Sequence, residues 1–347
     1  MSDMHPIDRR KFLGISIGGA LTATLSPYWV SGAMAATKLD YGVASIDPIY
    51  SAVYVALKKG FFGPDASINY MNTQSGPRSK QLLAAKQISA ATTGANDSIA
   101  LSIAGKQSVL VYAFDDRVPF ANILINKEVY ESGVKALKDL GGRSLGITAP
   151  QAATWLMAVY MTEHAGVKDK VAIRPLGDFT TMMGAVKSKS VDACMATYAM
   201  IEKAKSEGWG VPLFEIYDKS AWDGVFGGAV PGAATYVLEE TIKERPADVQ
   251  ALVSGLCKGT DFIFANSSEA VVDLILADYL QGYTNTDAVS AIDKFRTVWS
   301  RNNLIQTETY DRLASIMSGR QYSEAEMKTA TYAKNVDMSF VRKARGI

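Results

Sequence analysis

Short apolar runs alternate with stretches of helical spacing along most of this chain. Residues 38–45 read as a strand, and 49–59 place Ile49, Ala52, Val53, Ala56 and Leu57 on one helical face. Strands at 67–71, at 90–93 ending on Gly94, and at 108–114 are separated by helices at 78–85 and 97–104. That succession predicts a mostly parallel sheet with helices on both faces. A second unit repeats the design. Extended segments at 122–126, 144–148, 172–175, 193–197 and 213–217 alternate with helical ones at 134–140, 154–165, 180–188 and 198–207. Past Trp222 the glycines Gly224, Gly227, Gly228 and Gly232 predict a flexible loop, followed by one last strand at 234–238. From Pro246, a residue tolerated at a helix start, the pattern is helical. Val249, Leu252, Val253, Leu256 and Ile263 form an amphipathic face, and further helices follow at 268–279, 286–301, 306–317 and 323–333. No unit of 20–50 residues recurs, which argues against a solenoid.

The first 35 residues stand apart. Asp8-Arg9-Arg10-Lys11-Phe12-Leu13-Gly14 resembles the twin-arginine export signal. The apolar stretch 13–25 is short for a bilayer span, and Ala33-Met34-Ala35 has the small residues of a cleavage site. Asp8 replaces the usual Ser or Thr and Gly14 the frequent Lys, which keeps ordinary export as an alternative. No Cys follows the site, so no lipid attachment is expected. The expectation is a chain exported by the twin-arginine machinery, cut near Ala35, and periplasmic.

Charge and composition narrow the function classes. A cut after Ala35 leaves 312 residues, enough for two lobes. The leader removes three basic and two acidic side chains, leaving 33 of each. With no polybasic run, the footprint of a nucleic-acid binder is missing. His164 is the one histidine beyond the leader; it sits at an expected helix end, where a cation favours the dipole. Cys194 and Cys257 lie in apolar surroundings and read as small buried hydrophobes. The motifs H-E-x-x-H and G-x-x-x-x-G-K-[ST] do not occur. No catalytic residue, metal site or cofactor is assigned.

Four segments in order carry a family resemblance: IYSAVYVALKKGFF at 49–62, VKALKDLGGRSLGI at 134–147, VKSKSVDA at 186–193 and ERPADVQAL at 244–252. Together they resemble the solute-binding proteins of ABC importers, in the nitrate, sulfonate, taurine and thiamine-precursor group. Ser190 stands where that group usually has glycine. The resemblance spans roughly residues 40–270. It implies an α/β, two-lobed type II periplasmic-binding fold with a ligand cleft between the lobes. Lobe one would comprise 38–120 and 223–347, lobe two 121–222, with two strand crossings as hinge. It further implies a monomer that hands a small solute to an ABC transporter permease. An enzyme or pyrimidine-precursor protein on the same fold, and a ligand-sensing module for a receptor, are the alternatives.

Strand ends followed by helix starts are the expected binding positions, because they expose unpaired backbone N–H groups. The candidates are Ser45, Asp47 and Tyr50; Ser75 and Arg78; Asn96, Asp97 and Ser98; Gln151, Ala152 and Thr154; and Thr197 with Tyr198. Trp222 and Phe226 join them as aromatics near a loop. Asp47, Asp97 and Thr154 are equally suited to capping their helices. Arg117 is expected to pair with Asp115 and Asp116. The expected solute is a sulfonate, carboxylate or aromatic acid.

Overall fold

The computed structural model describes residues 38–64 and 66–347; the expected export segment and the expected cleavage site lie outside the described residues. Ten strands form two five-stranded sheets. The first contains β1 (Lys38–Val43), β2 (Ser67–Asn72), β3 (Ala90–Gly94), β4 (Ser108–Ala113) and β10 (Ala233–Leu238), in the order β2-β1-β3-β10-β4. The second contains β5 (Asn122–Asn126), β6 (Ser144–Ile147), β7 (Ala172–Pro175), β8 (Ala193–Ala196) and β9 (Gly210–Phe214), in the order β7-β6-β8-β5-β9. Most strands have the pattern their place demands. Every residue of the central strands β3, β5, β8 and β10 is buried, whereas the edge strands β2 and β7 have no buried residue. Pro212 is tolerated in β9 because that strand is an edge.

One strand in each sheet runs against the rest. β5 is antiparallel to β8 and β9, and β10 is antiparallel to β3 and β4. These are the first strands after the chain passes from one sheet to the other. Asn122 opens β5 opposite Ala196, the last residue of β8, and Ala233 opens β10 opposite Gly94, the last of β3. A strand that begins where its neighbours end must run the other way. The two crossings are tied together. Asp115, in the first, accepts hydrogen bonds from the backbone N–H groups of Gly232 (2.8 Å) and Ala233 (3.0 Å) in the second. A Cβ at Gly232 would lie 2.5 Å from Val118 Cα and Pro119 Cδ, so only glycine lets the crossings approach this closely.

Helices cover the sheets. Ser51–Lys59 packs on Pro246–Ala265, which also packs on Ser339–Arg345. Asn285–Phe295 packs against Tyr198–Ser206, so the late helical region reaches the second sheet's helices. Several elements differ from expectation. A helix, Lys219–Phe226, stands where a glycine loop is expected; Asp218 accepts from Ala221 N at its start, and Gly227 (φ +72°) ends it. The strand expected at 213–217 lies at Gly210–Phe214. Residues 134–140 yield only the 3-10 turn Leu137–Leu140, and 323–333 divide into Glu324–Met327 and the start of Tyr332–Asn335.

Candidate functional site

The segments that follow β1, β2, β3, β6 and β7 converge on a cavity between the two sheets. This is the expected place for a ligand, beyond the carboxyl ends of parallel strands. On one side stand Ala44, Ser45, Tyr50, Gln74, Ser75, Gly76, Gly94 and Asp97. On the other stand Phe120, Thr148, Ala152, Ala153, Thr154 and Phe179. A wider opening adjoins it, sharing Ser45, Gln74 and Phe179 and extending to Asp178, Lys203 and Tyr283.

Three helices begin on these walls without a side-chain cap: Gly76–Ala84 after Ser75, Ala95–Ile103 after Gly94, and Ala153–His164 after Ala152. Each start carries partial positive charge. By contrast Phe179–Lys187 and Tyr198–Ser206 are closed by Asp178 and Thr197. Thr154 spends its hydroxyl on Thr148, accepting from Thr148 N at 3.1 Å and lying 2.7 Å from its Oγ1, rather than capping its own helix. The walls between the helix starts are largely apolar or aromatic. Tyr50 packs edge-on to Phe114 at 6.1 Å, and burial pushes its hydroxyl pKa well above the ordinary value, so it stays a neutral phenol.

Asp97 is fully buried on the cavity wall. Its Oδ2 accepts from Thr93 Oγ1 at 2.8 Å, and Lys80 Nζ lies 3.1 Å from Oδ1. It does not cap its helix. A Cβ on Gly76 would overlap the Asp97 carboxylate, so the glycine is what allows this approach.

Six of the fifteen candidate residues therefore meet at the cavity: Ser45, Tyr50, Ser75, Asp97, Ala152 and Thr154. The others lie elsewhere. Asp47 and Thr197 are joined to each other behind the cavity wall, Thr197 Oγ1 donating to Asp47 Oδ2 at 2.6 Å. Both also act as caps, Asp47 for the 3-10 turn Pro48–Tyr50. Arg78 is held by Gln74 Oε1 at 2.7 Å, and Ser98 Oγ lies 2.9 Å from Ser108 Oγ. Asn96 is buried beside Gly94. Gln151 is exposed with φ +67°, and its carbonyl accepts from Gln321. Tyr198 is packed against Phe295 and Tyr217. Trp222 stacks on Phe226, which stacks on Tyr160, and Trp222 Nε1 donates to the Gly228 carbonyl. These two aromatics are helix packing, because the segment expected as a loop is a helix.

Four lining residues fall outside the junctions singled out in the sequence: Ala44, Phe120, Thr148 and Phe179. Phe179 was within reach of the same rule, since it opens a helix just after β7. Lys80 was not, because nothing in its neighbourhood announces a partner at position 97. Arg117 does not serve Asp115 as expected; it donates to the carbonyls of Ile216 and Tyr217. His164 does end its helix. Both cysteines are free and buried, and burial pushes both thiols up, Cys257 to about 11, which disfavours a thiolate nucleophile at neutral pH. Among the described residues no group of three or more His, Cys, Asp or Glu is placed to hold a metal ion.

Solved structures share this architecture. A protein from Bordetella bronchiseptica RB50 superposes with a TM-score of 0.79 at 19% identity, covering 89% of this chain and 97% of its own. The alkanesulfonate-binding protein SsuA from Xanthomonas axonopodis pv. citri, bound to MOPS, gives 0.69 at 14% identity, covering 87% and 99%. The periplasmic nitrate-binding protein NrtA from Synechocystis PCC 6803 gives 0.70 at 11% identity, covering 90% and 89%. The fold is thus that of the two-lobed periplasmic binding proteins. No curated protein sequence matches the chain. The family model described as NMT1/THI5 like matches residues 47–270, well over half of the sequence, and the chain belongs to that family.

Proposed function

We propose that this chain is an extracytoplasmic solute-binding protein that captures a small organic anion in the cleft and delivers it to the permease of an ABC transporter. The observation that carries this reading is the convergence of three uncapped helix starts on one apolar-walled cavity between the sheets. Backbone N–H groups there suit a carboxylate or sulfonate, and the aromatic walls suit an organic body. In this reading residues 38–120 and 223–347 form lobe one, residues 121–222 form lobe two, and the tied crossings form the hinge of a monomer. Sulfonate and nitrate binding by structural relatives supports an anionic solute. The test is a thermal-shift screen of residues 36–347 against sulfonates, nitrate, aromatic carboxylates, amino acids and pyrimidines. A solute at a hundred times its Kd adds about 2.7 kcal/mol to stability, well within reach of the assay. A shift with an organic anion is expected; a shift confined to neutral pyrimidines would overturn the anion assignment.

Export through the twin-arginine route is part of the same proposal. Arg9→Lys with Arg10→Lys is expected to leave the protein in the cytoplasm with its leader uncut, as read by fractionation. Normal periplasmic accumulation of that double variant would remove the twin-arginine assignment and leave ordinary export.

A further inference from the structure

We propose that the solute of this cleft carries a hydrogen-bond donor, a hydroxyl or amino group, opposite its acidic group, and that Asp97 and Ser45 read that donor. The inference rests on the solute-binding reading above and assigns its two ends to the two sides of the cavity.

The polar inventory of the cavity is asymmetric. Asp97 lies in the first turn of Ala95–Ile103, and its carboxylate reaches Gly76, the first residue of Gly76–Ala84. Two of the three positive helix ends therefore already face a carboxylate of the protein. The third, Ala153–His164 across the cavity, faces none, and Ala152, Ala153 and Thr154 all line the space in front of it. An acidic group of a ligand is placed there.

The Asp97 side supplies acceptors. Asp97 is fully buried, and its Oδ1 is ion-paired with the Lys80 ammonium at 3.1 Å, leaving further acceptor capacity on the carboxylate. Ser45 is buried as well, and its Oγ makes no hydrogen bond. Both residues line the cavity. A buried hydroxyl without a partner is rare and costly, so a partner for Ser45 is called for. An acid with no donor, such as benzoate, brings a donor-free face against the Asp97 carboxylate. A hydroxy or amino acid of similar size pairs both ends. A site built to bond a donor discriminates strongly against the analogue that lacks it.

Calorimetry with two matched series tests this: benzoate against 3- and 4-hydroxybenzoate and 3- and 4-aminobenzoate, and propanoate against 3-hydroxypropanoate and 3-aminopropanoate. At least one donor-bearing acid is expected to bind tenfold or more tightly than its parent, and the hydroxyl and amino arms identify the donor. Ser45→Ala and Asp97→Asn are expected to shrink that ratio. A cooperative thermal transition shows that each variant is folded. Parents that bind as tightly as their donor-bearing partners would overturn the donor assignment and leave the solute-binding reading intact. If none of these acids binds, the assignment falls; if sulfonates and nitrate are also silent, the anion reading falls with it.

Discussion

Asp47 shows how one residue couples local and distant structure. It is fully buried, and its carboxylate accepts from Ile49 N at 2.9 Å, Thr197 Oγ1 at 2.6 Å and Tyr283 hydroxyl at 3.1 Å. The groups around it include Tyr50, Tyr54 and Tyr283, whose hydroxyls burial pushes well above their ordinary values and so keeps neutral. Burial outweighs the three hydrogen bonds and raises the Asp47 pKa from 3.8 to about 6. The sign follows from linkage. Below about pH 4 the group is protonated in both folded and unfolded chains and costs nothing; above about pH 6 it is charged in both, and the folded state bears the burial cost. Stability from this group is therefore lost as pH rises from 4 through 6, by an amount on the order of 3 kcal/mol. Asp47→Asn is expected to be more favourable relative to wild type at pH 7 than at pH 4, measured by denaturant unfolding at both. A difference that does not change with pH would mean that Asp47 does not titrate in this window. The capping half of this role was legible in Asp47-Pro48-Ile49, since short acceptors precede helical turns. The other half was not, because Thr197 and Tyr283 are distant in sequence and only the fold brings them together.

Elements are set by packing as much as by periodicity. Pro246–Ala265 lies against Ser51–Lys59 at a seam made of glycines. A Cβ on Gly255 would strike the Phe62 ring, and one on Gly259 would strike the Ala52 carbonyl oxygen, a backbone atom of the facing helix. Gly259→Ala gains up to about 1 kcal/mol of helix propensity but forces two backbones apart, and overpacking of this kind costs about 1–3 kcal/mol. The melting temperature is expected to fall. Gly184→Ala is the contrast, in the helix Phe179–Lys187 with nothing within 4 Å of the new atom, and is expected to stabilise by about 0.5–1 kcal/mol. Equal shifts in the two variants would show that the seam has room to relax. The apolar face at Val249, Leu252, Val253, Leu256 and Ile263 made the long helix readable from its pattern, and all five are buried. The helix Lys219–Phe226 was not readable, because Gly224 within it and the glycines after it signal a loop. Its start depends on the Asp218 cap, and its aromatics find partners in another helix. Likewise, alternating strands and helices announced two α/β units but not the reversal of β5 and β10, which is a property of where the chain crosses between sheets.

At the scale of the whole molecule, the cavity exists because two sheets present strand ends to each other, and the proposed hinge requires them to move. Contacts on both sides of the cavity join them. Arg320 reaches Glu163 through two hydrogen bonds, at 3.0 and 2.8 Å, and Ser290 and Lys294 meet Glu202 at 2.7 Å. Inside the cavity Gly94 lies against Ala153. A Cβ on Gly94 would stand 2.6 Å from the Ala153 Cβ and 2.5 Å from Asn96 Oδ1. Gly94 has φ −64° and ψ 137°, a conformation any residue adopts, so Gly94→Ala carries no backbone strain. Asn96 can turn aside, but Ala153 belongs to the opposite wall and can yield only if the cleft widens. The substitution therefore leaves each sheet intact and obstructs their approach. Wedged open, the protein retains its separate walls but cannot close both of them on one solute, so the loss falls on affinity rather than on folding. Gly94→Ala is expected to keep the melting temperature of the unliganded protein nearly unchanged, to weaken solute binding tenfold or more by calorimetry, and to abolish the solute-induced decrease in radius of gyration by small-angle scattering. A variant that binds with wild-type affinity and compacts as before would show that capture does not depend on the approach of Gly94 to Ala153, whereas a wild-type protein whose radius of gyration does not fall with solute would mean that the hinge reading of the two tied crossings has to be given up.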